Sequence, residues 1–347
     1  MSEAYIVQVS PGNAREIAQV DRLLEQEGIR RDVNLDYICG MYDENGEIIA
    51  TGSCFGSTLR CFAVSKAHQG EGLLNQVVTQ LIDFQASRGQ FRLFLYTKPE
   101  AARFFGDLGF HEIARVAGKL VFMENRRNGF PDYLKQLEQT RREGVSAAVV
   151  MNANPFTLGH QYLAEKASAA CDTLHLFIVS EDRSLFPFSV RRQLVEAGTA
   201  HLPNVVLHDC GPYIISSATF PSYFLKDETD VIEGQARLDV EIFKQIAGTL
   251  NISSRWAGEE PFSKVTRLYN RVMAEELPKA GIRFAEVPRA EASGSVISAS
   301  TVRGCLKNGD FKTLEKLVPA GTLEYLTSPE AESVLRRIRC ADDVIHY

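Results

Sequence analysis

The sequence predicts an α/β protein in two parts: an α+β domain, then a Rossmann-like, doubly wound domain built on a parallel sheet. Three observations carry this. Short β-prone runs broken by turn residues fill the first third, as in YICGMYDENGEIIATGSCFGSTLRCFAV. Apolar runs alternating with helix-like stretches fill the rest, as in SAAVVM, TLHLFIVS and NVVLHD. A charged stretch, NRRNGFPDYLKQLEQTRREG, divides them. Asp-Glu-Asn-Gly suits a hairpin between antiparallel strands, whereas strand–helix alternation is the pattern of parallel strands joined by crossover helices. A chain of 347 residues is long enough for two cores. The expected limits are 1–125 for the first domain, 126–144 for a linking helix after a Gly-Phe-Pro break, and 145–347 for the second domain.

Composition excludes several function classes. Lys and Arg number 38 against 44 Asp and Glu, a net charge of -6, so no cationic surplus exists to hold a nucleic-acid backbone. The seven cysteines are odd in number and lack a C-x-x-C pair, so they read as reduced, mostly buried thiols rather than a disulfide framework or zinc site. No apolar run reaches about 18 residues, and the start MSEAYIVQVSPGN lacks an export pattern. A cytoplasmic protein without membrane contact is expected.

Within the first domain, AVSKAHQGEGLLNQVVTQLIDF (63–84) reads as a strand end, a Gln-Gly-Glu-Gly turn and an amphipathic helix with Leu73, Leu74, Val77, Val78, Leu81 and Ile82 on its apolar side. Glycines ahead of a helix let backbone N–H groups approach an anion, and the helix N-terminus adds partial positive charge. Gln69, Gly70 and Gly72 are therefore candidates for holding a pyrophosphate, although a turn with no ligand fits this stretch equally well. LFLYTKPEAARFFGDLGFHEIARV (93–116) reads as strand, helix with Ala102 and Phe105 inward, Leu-Gly-Phe turn, strand. His68 and His111 read as turn or surface histidines rather than acid–base groups. Together the two stretches resemble the GNAT acyltransferase fold over roughly residues 1 to 125, which implies a coenzyme A pyrophosphate at the glycine loop. Leu74 stands where that pattern usually has a small residue.

In the second domain, VVMNANPFTLGHQYLAEKAS (149–168) takes an apolar strand into a helix. The strand ends near Met151, because Pro155 cannot donate to a sheet ladder. Thr157 and His160 lie three apart, on one side of the first helical turn, and Gly159 removes a side chain where a ligand could press on the backbone. A donor fixed at a helix start can stabilise the charge that grows around an attacked α-phosphate. Taken alone, T-x-G-H also reads as a plain capped helix.

Further along, at least one of Arg191 and Arg192 is expected only in a surface ion pair. Tyr213, Ser216, Ser217 and Thr219 form a polar, aromatic loop suited to a second substrate; Lys226 suits either a phosphate or solvent. Glu259 and Glu260 follow a strand end, where ligands lie in open parallel sheets; they suit a ribose, a magnesium ion or a helix cap. Finally, GSVISASTVRGCLKNGD (294–310) puts Ser298 and Ser300 at a helix entrance with Arg303 one turn on. Hydroxyls, free N–H groups and a guanidinium together can grip phosphates.

N-P-F-T-x-G-H followed by I-S-x-S-x-x-R resembles the paired signature of the nucleotidylyltransferase superfamily. This resemblance implies that Thr157 and His160 serve the α-phosphate of ATP, with Asn154, Phe156 and Gly159 completing the nucleotide site. It implies Ser298, Ser300 and Arg303 for the β- and γ-phosphates. Both domains together, with GEEPFSKVTRLYN, resemble the citrate lyase ligase family from about residue 3 to 340. That implies an acid–thiol ligase using ATP and magnesium, with acetate as substrate and the acyl carrier protein of citrate lyase as partner. Acetate is already ionised at pH 7, which matches the lack of an evident general base. One alternative is an adenylyl- or cytidylyltransferase of a small metabolite fused to a working N-acetyltransferase. Another is a nucleotide-sensing regulator, which would not need His160 at an α-phosphate.

Overall fold

A computed structural model describes residues 5–32, 34–180, 184–214, 220, 228–260, 263–292 and 295–341. Ser216, Ser217, Thr219 and Lys226 lie outside these residues. The chain forms two compact units, one holding the described residues up to Asp132 with 228–241, the other those of 133–220 and 242–341.

The first unit runs β1 (Tyr5–Gln8), α1 (Ala14–Gln26), β2 (Tyr37–Tyr42), β3 (Ile48–Phe55), β4 (Thr58–Val64), α2 (Leu73–Ser87), β5 (Phe94–Thr97), α3 (Ala102–Asp107), β6 (His111–Val116) and β7 (Leu120–Glu124). Its sheet has the order β1-β2-β3-β4-β5-β7-β6. The expected hairpin joins β2 to β3: the Asp43 carboxylate accepts the N–H groups of Asn45 and Glu47, each at 2.9 Å. Gly46 there takes the left-handed conformation, with φ of 75°. Helix α2 buries Leu73, Val77, Val78 and Leu81. It lies so close on β3 that a side chain at Gly52 would strike Val77. Leu74 packs against the same core, which accounts for an apolar residue at that place. Strands β4 and β5 are parallel, and pair only at Thr58–Phe94 and Leu59–Leu95.

After α4 (Gly129–Glu138), the second unit runs β8 (Ser146–Met151), α5 (Leu158–Ser168), β9 (Thr173–Ile178), α6 (Phe188–Thr199) and β10 (Val205–Asp209). Helix α7 (Glu228–Leu250) follows, its first part counted with the other unit. Then come β11 (Ile252–Gly258), α8 (Lys264–Glu276), β12 (Arg283–Val287), a short β13–β14 pair (Glu291–Ala292, Ser295–Val296), and α9 (Ala299–Asn308), α10 (Phe311–Leu314), α11 (Ala320–Thr327) and α12 (Glu332–Cys340). The sheet is parallel, in the order β10-β9-β8-β11-β12. All of β9 is buried, as expected of a strand covered on both faces.

That order is the doubly wound one. From β8 the chain steps to β9 and β10, then crosses back to β11 on the other side of β8. The crevice outside the carboxyl ends of β8 and β11 is therefore the place for a ligand. Among the described residues no helix is long and apolar enough to cross a membrane.

Candidate active site

The segment after β8 carries the first motif into that crevice. Thr157 caps α5: its hydroxyl accepts the His160 N–H at 3.3 Å, and the His160 ring Nδ1 accepts the Thr157 N–H at 3.1 Å. This is a capping box in which histidine replaces the usual acidic or amide residue. It has a chemical consequence. Because a backbone N–H can only donate, Nδ1 must be the acceptor, so the neutral ring carries its proton on Nε2. Burial pushes the His160 pKa down to about 4, with the charges of Arg289 and Arg303 acting in the same direction. At neutral pH His160 is thus an uncharged donor. The Gly159 N–H has no acceptor among the described residues, as the first N–H groups of a helix lie outside its internal ladder.

Several predicted nucleotide contacts turn inward instead. Phe156 is 0% exposed; its ring stacks on His160 at 5.7 Å between centroids and fills the space that a side chain at Gly198 of α6 would need. Its ring holds the imidazole plane. Asn154 is also buried, and its side-chain oxygen accepts the Phe186 N–H at 3.0 Å. Thr157, 1% exposed, has its hydroxyl engaged with His160. These three shape the loop that presents His160.

The second motif closes on the first. Arg303, buried on α9, donates from Nη1 to the Asn154 carbonyl at 2.6 Å, across 149 residues of chain. Gly159 is needed for the same closure: a Cβ there would come within 3.1 Å of the Ile297 carbonyl. The neighbour pressing on this glycine is the second motif itself. Ser298 caps α9 by accepting the Thr301 N–H at 3.0 Å, and its hydroxyl lies 2.9 Å from that of Ser300. His160, Gly159, Ser298, Ser300 and Arg303 therefore gather in one crevice.

Other readings sort themselves by burial. Arg192 makes surface ion pairs with Glu196 and Asp209, each at 3.3 Å. Its neighbour Arg191 is 0% exposed and donates to the carbonyls of Asn152 (2.8 Å), Val179 (2.8 Å) and Phe186 (3.1 Å), tying together the loops that follow β8 and β9. Sequence reasoning missed this clamp, because an Arg-Arg pair on a helix gives no sign of which one is interior. Tyr213 is buried against Tyr133, 5.0 Å between rings, so the described end of that loop offers no aromatic platform. Glu260 follows the cap reading: it accepts the Ser263 N–H at 3.1 Å and pairs with Arg289.

In the first unit, Gly70 and Gly72 have φ of 91° and 75°, and nothing lies within 4 Å of a Cβ added to either. Gly72 is the residue before α2 and supplies no side-chain cap. The loop is held at its start by Gln69, whose amide donates to the Val64 carbonyl at 3.4 Å.

A doubly wound sheet with T-x-G-H at the switch point and S-x-S-x-x-R closing over it defines the class: a nucleotidylyltransferase-type α/β domain, here preceded by a GNAT-like α+β unit. Residues 146–326 match the family described as citrate lyase ligase C-terminal domain. The chain is 37% identical over 319 residues to the [citrate [pro-3S]-lyase] ligase of Haemophilus influenzae, covering 90% of this chain and 95% of that protein. It is 38% identical over 314 residues to that of Klebsiella pneumoniae, covering 88% and 91%. With the Escherichia coli protein it shares 38% over 320 residues, 90% of each. The chain belongs to the citrate lyase ligase family.

Proposed function

We infer that the protein is the ATP-dependent acid–thiol ligase that activates citrate lyase. A carboxylate oxygen of acetate attacks the α-phosphorus of ATP, forming acetyl-adenylate as the bond to the bridging oxygen breaks and pyrophosphate departs. The prosthetic-group thiolate of the acyl carrier protein then attacks the acetyl carbonyl, and AMP leaves with the bonding electrons. The observation that carries this reading is the Arg303 bond to Asn154, which supports one site built from both motifs.

His160 donates its Nε2–H to a non-bridging oxygen of the α-phosphate, where negative charge develops. Thr157 positions that ring. The Gly159 N–H receives the same phosphate, while Ser298, Ser300 and Arg303 serve the departing pyrophosphate. Among the described residues no three histidine, cysteine or acidic side chains gather as metal ligands. Magnesium would therefore be held chiefly by ATP oxygens and water, with the Ser298 and Ser300 hydroxyls the side chains able to join, and it would offset the triphosphate charge. Gln69, Gly70 and Gly72 receive the pyrophosphate of the carrier's coenzyme-A-like arm. Their open left-handed loop at the start of α2, and the parting of β4 from β5 beyond Leu59 and Leu95, support this. The reaction belongs in the cytoplasm.

The test supplies ATP, labelled acetate and deacetylated citrate lyase, and follows label to the carrier thiol. His160→Ala should lose about 100- to 1,000-fold in acetate-dependent exchange of pyrophosphate into ATP, the usual cost of one such donor. Absence of label on the carrier, or full exchange in the variant, would reject the reading.

A further inference from the structure

We propose that Arg289 is the residue that takes the carboxylate of the acid substrate, an inference that rests on the adenylating reading above. Arg289 follows β12, outside both motifs. Its Nε donates to the Glu259 carbonyl at 2.7 Å and its Nη2 pairs with the Glu260 carboxylate. Glu260 in turn is fixed by the Ser263 N–H at the start of α8. One edge of the guanidinium is thus anchored to the segment after β11. Its Nη1 meets no acceptor among the described residues, and the side chain is 24% exposed.

Backbone contacts bring this group to the reacting centre. The Ala290 carbonyl accepts the Ile297 N–H at 3.1 Å, and the Ile297 carbonyl lies against Gly159. Arg289 is therefore next in the chain to a residue bonded to the segment that closes on the first turn of α5. Burial is the main reason that His160 stays neutral, and the charge of Arg289 adds to it more than that of Arg303 does.

The reaction needs such a group. In an in-line displacement the attacking oxygen and the departing pyrophosphate lie on opposite sides of phosphorus, so the cation holding the nucleophile must differ from those holding the leaving group. Ser298, Ser300 and Arg303 share α9; Arg289 arrives from the loop after β12. Acetate offers few atoms for contact, so a preset guanidinium making charge-assisted bonds decides its affinity. Anchoring by Glu259 and Glu260 removes most of the ordering cost such a long side chain would otherwise carry.

Pyrophosphate exchange is measured with varied acetate and varied ATP in the full chain and in Arg289→Ala and Arg289→Lys, together with ATP binding by calorimetry without acetate. Arg289→Ala should raise the KM for acetate about 10- to 100-fold, the effect of losing one hydrogen-bonded charge partner. The KM and Kd for ATP should stay within about twofold, since that charge is not spent on the triphosphate. Lysine should restore part of the loss, and added guanidinium ion should restore part of it in the alanine variant. Weakened ATP binding with acetate KM unchanged, or a fall in kcat with both KM values unchanged, would overturn the assignment. If alanine prevents folding, the lysine variant gives the same KM comparison. Acetate-independent exchange by the wild-type chain would instead reject the ligase reading itself.

Discussion

Gly72 before α2 and Gly159 in the first turn of α5 both stand at a helix start, and the two glycines are there for different reasons. Gly72, before α2, has φ of 75° and empty space around it; only its conformation demands glycine. Gly159, in the first turn of α5, has no unusual φ, yet a Cβ there would press within 3.1 Å of the Ile297 carbonyl. One is a left-handed residue in an open loop; the other is a contact surface between distant parts of the chain. The comparison separates two ways of offering helix N–H groups to a phosphate: a loop that stays open at the surface, and a crevice sealed by a second motif.

The largest test of this contrast is Gly159→Val. Its methyls would push Ile297 away and displace the second motif, and a shift near 1 Å in a reacting centre costs about 100-fold in rate. Exchange of pyrophosphate into ATP should fall by that order; an unchanged rate would mean the closure is incidental. Next comes acidification, which should weaken the second unit through its buried histidines. His175 on β9 and His208 on β10 lie 2.9 Å apart, and burial holds both well below the ordinary histidine value. The unfolded chain takes up protons below a pH of about 6.5 that the folded chain refuses. Stability is thus full above that value and drains as pH falls toward the folded pKa of His175, about 4. At pH 5 the loss should be on the order of 2 kcal/mol for one such histidine. Trp256 on β11, the chain's single tryptophan, reports it: its fluorescence midpoint in urea should drop between pH 7 and pH 5, and an equal midpoint would refute the assignment.

The smallest effect belongs to the open loop. Gly72→Val forces a β-branched residue into the left-handed region, a strain of about 1–2 kcal/mol. Acetate adenylation should be unchanged and transfer to the carrier thiol reduced about tenfold, because relief of the strain shifts the loop from its pyrophosphate and about 1.4 kcal/mol of lost binding is tenfold. Equal loss in both half-reactions would erase the distinction between the two glycines.

Much of this molecule was legible in its residues. The Asp-Glu-Asn-Gly hairpin, the inward positions of α2, Ala102 and Phe105 on α3, and the alternation of β8 to β10 with helices all follow from periodicities of two and 3.6. T-x-G-H announced a helix start, and its histidine is indeed held there. The glycine loop ahead of α2 was visible too, because unusual backbone conformations select glycine locally. Arg192 and Arg191 show the limit: adjacent residues on one helix, one in water and one a clamp beneath the site.

What sequence alone determined was therefore local: element types, turn positions, the capped histidine and the class of domain. Which side of Gly159 is occupied, that Phe156 and Asn154 face inward, that Arg303 reaches Asn154, and that the charge of Arg289 acts on His160 were decided only by tertiary structure. Each of these depends on contacts between segments separated by many residues, and no local pattern encodes which distant atom will fill a given space.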